Sequence, residues 1–304
     1  MKEELLPEKF VQLIEFFASL PGVGKKTAVR YALHVYNHQK EKYHGAGNDF
    51  IMIDTKKNTT VVFSEMLIRQ LCDRHTGIGS DGLILIQPCR GFDFEMIFFN
   101  PDGSQSFCGN GSRCGVMFAH KAGYFLNSSC NFISSGRPYQ ANILDKQNVS
   151  LVIGDFHSDE IVHKSPNAYF LNTGSPHYIE FVDSLETLEN LPLTDMARKI
   201  RYSQEYLPIG GTNVNFIFFD SQQKTIYIRT YERGVENETL ACGSGITAAA
   251  LISHFTRPAS GPQSYNIIAK GGQLNVSFRF QDGIFENVTL TGPAVKVFSG
   301  IWES

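Results

Sequence analysis

The sequence predicts an α/β (α+β) chain built from a duplicated unit, each copy a mostly antiparallel sheet beside one helix, and three observations carry that reading. Two runs, CGNGSRCGVMFAHK from Cys108 and CGSGITAAALIS from Cys242, each put a cysteine before a glycine-bounded turn and a helix-compatible stretch. Strand-like runs precede and follow each of them in the same order. The 304 residues suffice for two cores of ordinary size, and 42% hydrophobic with 19% charged residues is the composition of a soluble globular protein.

Taken in order, the chain begins with a unit unlike the rest. Glu8 to Leu20 is amphipathic, Pro21-Gly22-Val23-Gly24 is a turn, and Lys25 to His38 is helical again, a helix-hairpin-helix pattern. Its Gly-Lys is no P-loop, which needs Gly where Ser19 stands and Ser or Thr where Lys26 stands. From Lys42 the composition changes. YHGAGNDFIMID sets a glycine-hinged polar loop before a short strand, Phe50 to Asp54, with Asn48 and Asp49 at its mouth. A helix is expected over Ser64 to Arg74, then strands at Leu83 to Gln87 and Phe92 to Phe99, the last delivering the chain to Asn100 and the Cys108 loop. After the Cys108 helix come strand-like runs at Asn131 to Ser134 and Val149 to Ile153, with a change of region at Gly154-Asp155. The second half repeats the order through Thr173 to Val182, a helix near Thr194 to Ile200, Gly210 to Phe219 and Ile226 to Gly234, reaching Cys242. These breaks divide the chain into an extension at 1–40, a first domain at 41–153 to which 291–304 returns, and a second at 154–290.

Composition also excludes. A net charge of −3 exerts no general pull toward nucleic acid or anionic membrane, and no apolar run approaches the roughly 20 residues that span a bilayer. MKEELLPEKF is no secretory signal, so a cytoplasmic chain is expected, with its six cysteines as free thiols. Cys108 and Cys114 lack the compact CxxC or Cys/His spacing of a zinc site, no metal is expected, and no GxGxxG cofactor fingerprint is present.

A free cysteine is ordinarily a small buried hydrophobe, and for Cys72, Cys89, Cys114 and Cys130 that reading stands. Cys108 and Cys242 differ, because each opens a polar CG(N/S)G turn at a helix start. Unpaired N–H groups and the positive end of the helix dipole favour a thiolate there and hold a substrate carboxylate. Two such thiols across a cleft suit removal of an α-proton from one face of a chiral carbon and its return to the other. Such a reaction needs no cofactor.

The ordered set HGAGNDF, HTGIGSDG, NPDGS, CGNGSRC, GSPH, GTNVNF, YERG and ACGSG, from about Lys42 to Trp302, resembles the diaminopimelate epimerase family of the pyridoxal-phosphate-independent amino-acid racemases. The resemblance implies two similar domains, each a strongly curved sheet round a central helix, with the site between them. It puts the base cysteines at Cys108 and Cys242 and the carboxylate-binding amides at Gly109, Asn110, Gly243 and Ser244. It assigns the substrate's distal amino-acid end to Asn48, Asn100, Asn213, Glu232 and Arg233, and assistance in proton exchange to His177 and Glu232. Ser175 stands where the family usually has a substrate-binding Asn, and Gly82 where some members have Gln. NPDGSQSFCG is one residue short and GVENETLAC one long against the common pattern. Separately, LIEFFASLPGVGKKTAVRYALHV resembles the N-terminal helix-hairpin-helix of the recombination protein RecR, without RecR's zinc cysteines or Toprim region. The implied partner is a small diamino diacid, with a homodimer compatible and neither membrane nor nucleic acid expected. The alternatives are a racemase of broader specificity and, from a different class, a DNA-binding protein using the hairpin.

Overall fold

In the computed structural model, residues 8–29, 39–56 and 63–301 are described. Helix α1 (Glu8–Ala18) precedes a turn and a further helical stretch at 25–29, and the remainder of the expected second helix of the hairpin lies outside the described residues. The strands that follow are β1 (Gln39–Gly45), β2 (Asn48–Asp54), β3 (Gly82–Gln87), β4 (Phe94–Phe99), β5 (Ser129–Ser134), β6 (Arg137–Ile143), β7 (Asn148–His157), β8 (Val162–Ser165), β9 (Ala168–Asn172) and β10 (Pro176–Phe181). After them come β11 (Asn213–Asp220), β12 (Thr225–Glu232), β13 (Asn237–Thr239), β14 (Gly261–Ala269), β15 (Gly272–Gln281), β16 (Ile284–Pro293) and β17 (Val295–Ile301). Helices α2 (Glu65–Cys72), α3 (Gly109–Lys121), α4 (Leu185–Asn190), α5 (Leu193–Arg201) and α6 (Gly243–Phe255) are set between them.

Strand pairing shows the duplication directly. From β1 to β7 successive neighbours pair antiparallel, parallel, antiparallel, parallel, antiparallel and antiparallel. The series β9, β10, β11, β12, β14, β15, β16 repeats that pattern step for step. Each parallel step needs a crossover, and a helix supplies it: α2 or α3 in the first series, α4 with α5 or α6 in the second. The series join through β7 and β16, antiparallel. They also exchange edges, because β8, which follows β7, pairs with β9, while β17, which follows β16, pairs with β1.

The sheets curve round α3 and α6, which accounts for the weak amphipathicity of both helices. Every residue of α3 from Asn110 to Ala119 is buried, and α6 is buried along almost its whole length. A helix enclosed on all sides has no polar face to show. Strand alternation then sorts side chains between layers: Phe50 and Met52 of β2 pack toward α3, while Ile51 and Ile53 pack toward α2. In the second half Ile217 of β11 joins the core round α6, and Val214 and Phe216 join the layer under α4 and α5.

Element ends differ from the sequence expectation by up to three residues, with one larger and instructive exception. The strand expected to stop at Ile153 continues to His157. The Gly154-Asp155 break is a bulge within that strand, where Val288 of β16 faces Gly154 at a register shift and Gly154 has φ 136°. Helix α2 runs from Glu65 to Cys72 because Ser64 caps it by accepting from Leu67 N–H, and Asp73 leaves the helix in extended conformation. Among the described residues, no helix is long and apolar enough to cross a membrane.

Candidate active site

Cys108 and Cys242 hold the same position in the repeated unit. Each is the extended residue immediately before a 13-residue helix, at φ −134° and −112° respectively. The two helix starts abut. A methyl group built on Gly243 would lie 3.9 Å from Gly109 Cα, 3.7 Å from Asn110 Oδ1 and 3.1 Å from Leu290 Cδ2, so a side chain at 243 would crowd the junction. Asn110 bridges it: its Nδ2 donates to Ala241 O at 3.0 Å, beside Cys242, and to Asn48 Oδ1 at 2.5 Å, while its Oδ1 accepts from the Arg113 guanidinium at 2.8 Å.

The surroundings of the two thiols differ. Gly111 N–H donates to Cys108 Sγ at 3.3 Å, and the wholly buried Arg113 cation lies close enough to favour its thiolate. Cys242 Sγ has instead the Ser244 hydroxyl at 3.5 Å, and Ser244 Oγ is 2.8 Å from His177 Nε2 and 3.1 Å from Ser175 Oγ. Ser175 Oγ also reaches His177 Nε2 at 2.9 Å and accepts from Asn213 Nδ2 at 3.2 Å. The thiolate preference expected of a helix N-terminus is therefore present but outweighed. Burial, with the Glu232 carboxylate adding to it, pushes the Cys108 thiol up to about 11 and the Cys242 thiol up to about 12, against the lowering by nearby N–H donors. Glu232, at the end of β12, is itself raised, first by burial. His177 is pushed down to about 3 by burial, assisted by the positive Arg233, and is therefore neutral at pH 7.

The other predicted positions are engaged as follows. Asn48 Nδ2 donates to Asp81 Oδ2 at 3.2 Å. Asn213 donates to Pro176 O at 2.9 Å, and its Oδ1 accepts from Arg233 N–H at 2.8 Å. The Arg233 guanidinium sits on the carbonyls of Ile209 and Gly211, both at 3.3 Å. Asn100 is held within its own loop by Ser104 and Ser106. Gly82 opens β3, where an added Cβ would lie 2.3 Å from the Phe98 ring and 2.6 Å from Phe99 O, so no larger residue fits without repacking. Three residues at the site were not singled out in the sequence: Arg113, Asp81 and Asn215. Asn215 had a legible signal, since two positions from Asn213 on a strand share a face.

Among the described residues, no group of three or more His, Cys, Asp or Glu side chains is placed to hold a metal ion.

Fold and site together define a class: the duplicated α/β fold with a helix start from each half meeting at the centre. A PhzF-family phenazine biosynthesis protein from Bacillus anthracis shares the fold at TM-score 0.67 and 12% identity, covering 88% of this chain and 99% of that one. A probable proline racemase from Agrobacterium radiobacter K84 does so at TM-score 0.62 and 14% identity, covering 87% and 92%. Within that class the chain belongs to the diaminopimelate epimerase family, whose model matches residues 41–157 and 169–297. The diaminopimelate epimerase of Flavobacterium psychrophilum is 43% identical over 258 residues, 84% of this chain and 97% of the relative. That of Hydrogenobaculum sp. is 38% identical over 276 residues, 86% and 96%. Residues 10–45 match the helix-hairpin-helix model of RecR.

Proposed function

We propose that this chain interconverts LL- and meso-2,6-diaminopimelate by a two-base mechanism, Cys108 and Cys242 serving opposite faces of one α-carbon. The observation that supports it is the meeting of two cysteine-led helix starts, one from each half of the duplication. One cysteine is thiolate and removes the α-proton, the other is thiol and returns a proton to the opposite face, and the roles exchange with substrate handedness. Burial disfavours charge on both sulfurs, so the doubly ionised pair is the least favoured state, and the reaction needs only one of the two as thiolate.

In this reading the first-turn N–H groups at Gly109, Asn110, Gly243 and Ser244 bind the α-carboxylate. They take up charge as the carbanion develops, where one such donor is worth about 3 kcal/mol. Asn48, Asn100, Asn213, Glu232 and Arg233 address the distal amino-acid end, Arg233 by turning its guanidinium from backbone carbonyls to a carboxylate. His177 and Glu232 act on the thiols. The two catalytic units are 41–153 with 291–304, and 154–290. The setting is cytoplasmic supply of lysine and cell-wall precursors, with a homodimer the simplest assembly. Removing residues 1–38 is expected to leave turnover unchanged, and the full chain to show no salt-sensitive DNA binding.

The test is incubation with LL-diaminopimelate in heavy water. Deuterium appears at the α-carbon as meso product forms, and a folded protein that incorporates none would overturn the proposal. Ser175 supports a second reading, broader specificity, because its short hydroxyl is committed to His177 and Ser244. Glutamate or proline turnover comparable to that of diaminopimelate would favour it.

A further inference from the structure

We propose that Asn215 is a positioning residue that fixes the tautomer of His177, holding its single ring proton on Nε2, where it faces the Ser175 and Ser244 hydroxyls beside Cys242. Strand register brings the two side chains together. On β11, Asn213, Asn215 and Ile217 alternate with Val214 and Phe216, so both asparagines face α6 rather than the outer helices. β10 lies parallel beside it with His177 opposite Asn213, which brings the imidazole within reach of the next inward asparagine.

The orientation of the Asn215 amide follows from its partners. Tyr178 O, 3.0 Å away, is an acceptor only, so the nitrogen faces it. The amide oxygen then faces Thr230, whose hydroxyl donates to it at 2.8 Å. The same Nδ2 lies 3.2 Å from His177 Nδ1 and directs its second hydrogen there. A ring nitrogen that accepts a hydrogen bond carries no proton. Neutral His177 is therefore protonated on Nε2, 2.8 Å from Ser244 Oγ and 2.9 Å from Ser175 Oγ. Asn215, His177 and Thr230 are all buried, so water does not compete for these positions. The α6 backbone closes the arrangement: a methyl group on Gly245 would lie 2.6 Å from Asn215 Oδ1 and 3.1 Å from His177 Nδ1.

The consequence is directional. With its proton on Nε2, His177 donates toward Ser244, and the Ser244 hydroxyl, relieved of that role, is free to direct its own hydrogen at Cys242 Sγ. The network thus favours the Cys242 thiolate by donation. The opposite tautomer would present a lone pair to the hydroxyls and draw the Ser244 hydrogen away from sulfur.

The inference rests on the proposed reaction only for its effect on rate, and the experiment separates the two. The full chain, labelled with 15N-histidine, is examined by two-bond 1H–15N correlation at pH 7, His177 being assigned by difference from His177→Gln. The expected pattern is Nε2 protonated and Nδ1 bare. Asn215→Asp keeps the shape but replaces the donor with an acceptor. It is expected to move the proton to Nδ1 and to lower kcat for α-proton exchange about 100-fold, the scale of one misdirected acid–base group, with KM within about threefold. A wild-type spectrum with Nδ1 protonated would overturn the proposal even if the variant failed to fold. So would an Asn215→Asp enzyme that folded with the wild-type pattern or the wild-type kcat. A wild-type protein without diaminopimelate turnover would sink the functional reading and leave the spectrum to decide the tautomer.

Discussion

Cys108 and Cys242 occupy equivalent places in a duplicated fold, and their neighbourhoods have diverged. At Cys108 the sulfur accepts from a backbone N–H, and the charge of a buried, fixed cation, Arg113, favours its thiolate. At Cys242 it meets a hydroxyl backed by a neutral imidazole. The first supports a thiolate by charge that does not titrate near neutrality, since burial lowers Arg113 only to about 10. The second supports it by a chain of hydrogen bonds whose direction depends on one tautomer. Duplication thus conserved where each sulfur sits, while the means of stabilising it diverged.

The comparison is broken most severely by removing either sulfur. Cys108→Ala and Cys242→Ala are each expected to lower stereoinversion by more than about 10³-fold, near the upper range for a single acid–base group. Deuterium incorporation and chiral analysis of the product measure it, and a single variant with near-normal turnover would show that one thiol serves both faces.

Next in size is a reciprocal pair of substitutions. Arg113→Met removes the cation and leaves Asn110 Oδ1 without its partner, so it is expected to slow turnover about 10- to 100-fold and to cost stability of about 1–3 kcal/mol. Ser244→Ala removes the donor to the other sulfur and leaves the first intact. Alkylation followed by peptide mass spectrometry distinguishes them: Arg113→Met should slow modification of Cys108 more than Cys242, and Ser244→Ala the reverse. Equal slowing of both cysteines in each variant would mean that the two environments act as one.

How far this contrast could be read beforehand differs from residue to residue. The two Cys-Gly turns, the helices after them and the duplicated order were legible because short-range chemistry determines them: a glycine-bounded turn, a polar helix start and an uninterrupted helical run. The thiol pKa direction was not, because the N–H groups that lower it are local in sequence, while the enclosing β-sheet residues and Glu232 are not. Arg113 reads as a surface arginine until the sheet is seen to close round α3. Asn215 acquires its role only through the parallel register that sets His177 beside Asn213.

A smaller effect concerns stability against pH. Both thiols are raised in the folded protein, Cys108 to about 11 and Cys242 to about 12. The folded state therefore holds these protons more tightly than the unfolded chain, whose thiols titrate near 8.5. Their contribution is present below about pH 8.5 and is lost as pH rises toward the folded values. The melting temperature of a Cys108→Ala/Cys242→Ala double variant should fall less steeply above about pH 8.5 than that of the wild type. It should still fall, because buried Cys114 and Cys130 are raised to about 12 as well. Identical alkaline slopes would mean that the two thiols titrate as exposed groups do.

The smallest change tests whether the Cys242 network also governs substrate breadth. Ser175 Oγ touches His177 Nε2, Ser244 Oγ and Asn213 Nδ2, so it joins the hydroxyl network to the asparagine assigned to the distal end of the substrate. Asparagine in its place carries an acceptor and two donors further from the backbone than a hydroxyl reaches, enough to contact a distal group while still facing Asn213. Ser175→Asn is accordingly expected to lower KM for diaminopimelate about 3- to 10-fold, the worth of about one neutral hydrogen bond, with kcat changed less than about threefold. Turnover of amino acids that lack the distal group should not improve. Steady-state kinetics across a substrate panel measures both quantities. A fall in kcat with KM unchanged would instead assign Ser175 to the thiol side of the site, making the hydroxyl cluster part of the proton chemistry at Cys242 rather than a reader of the distal group.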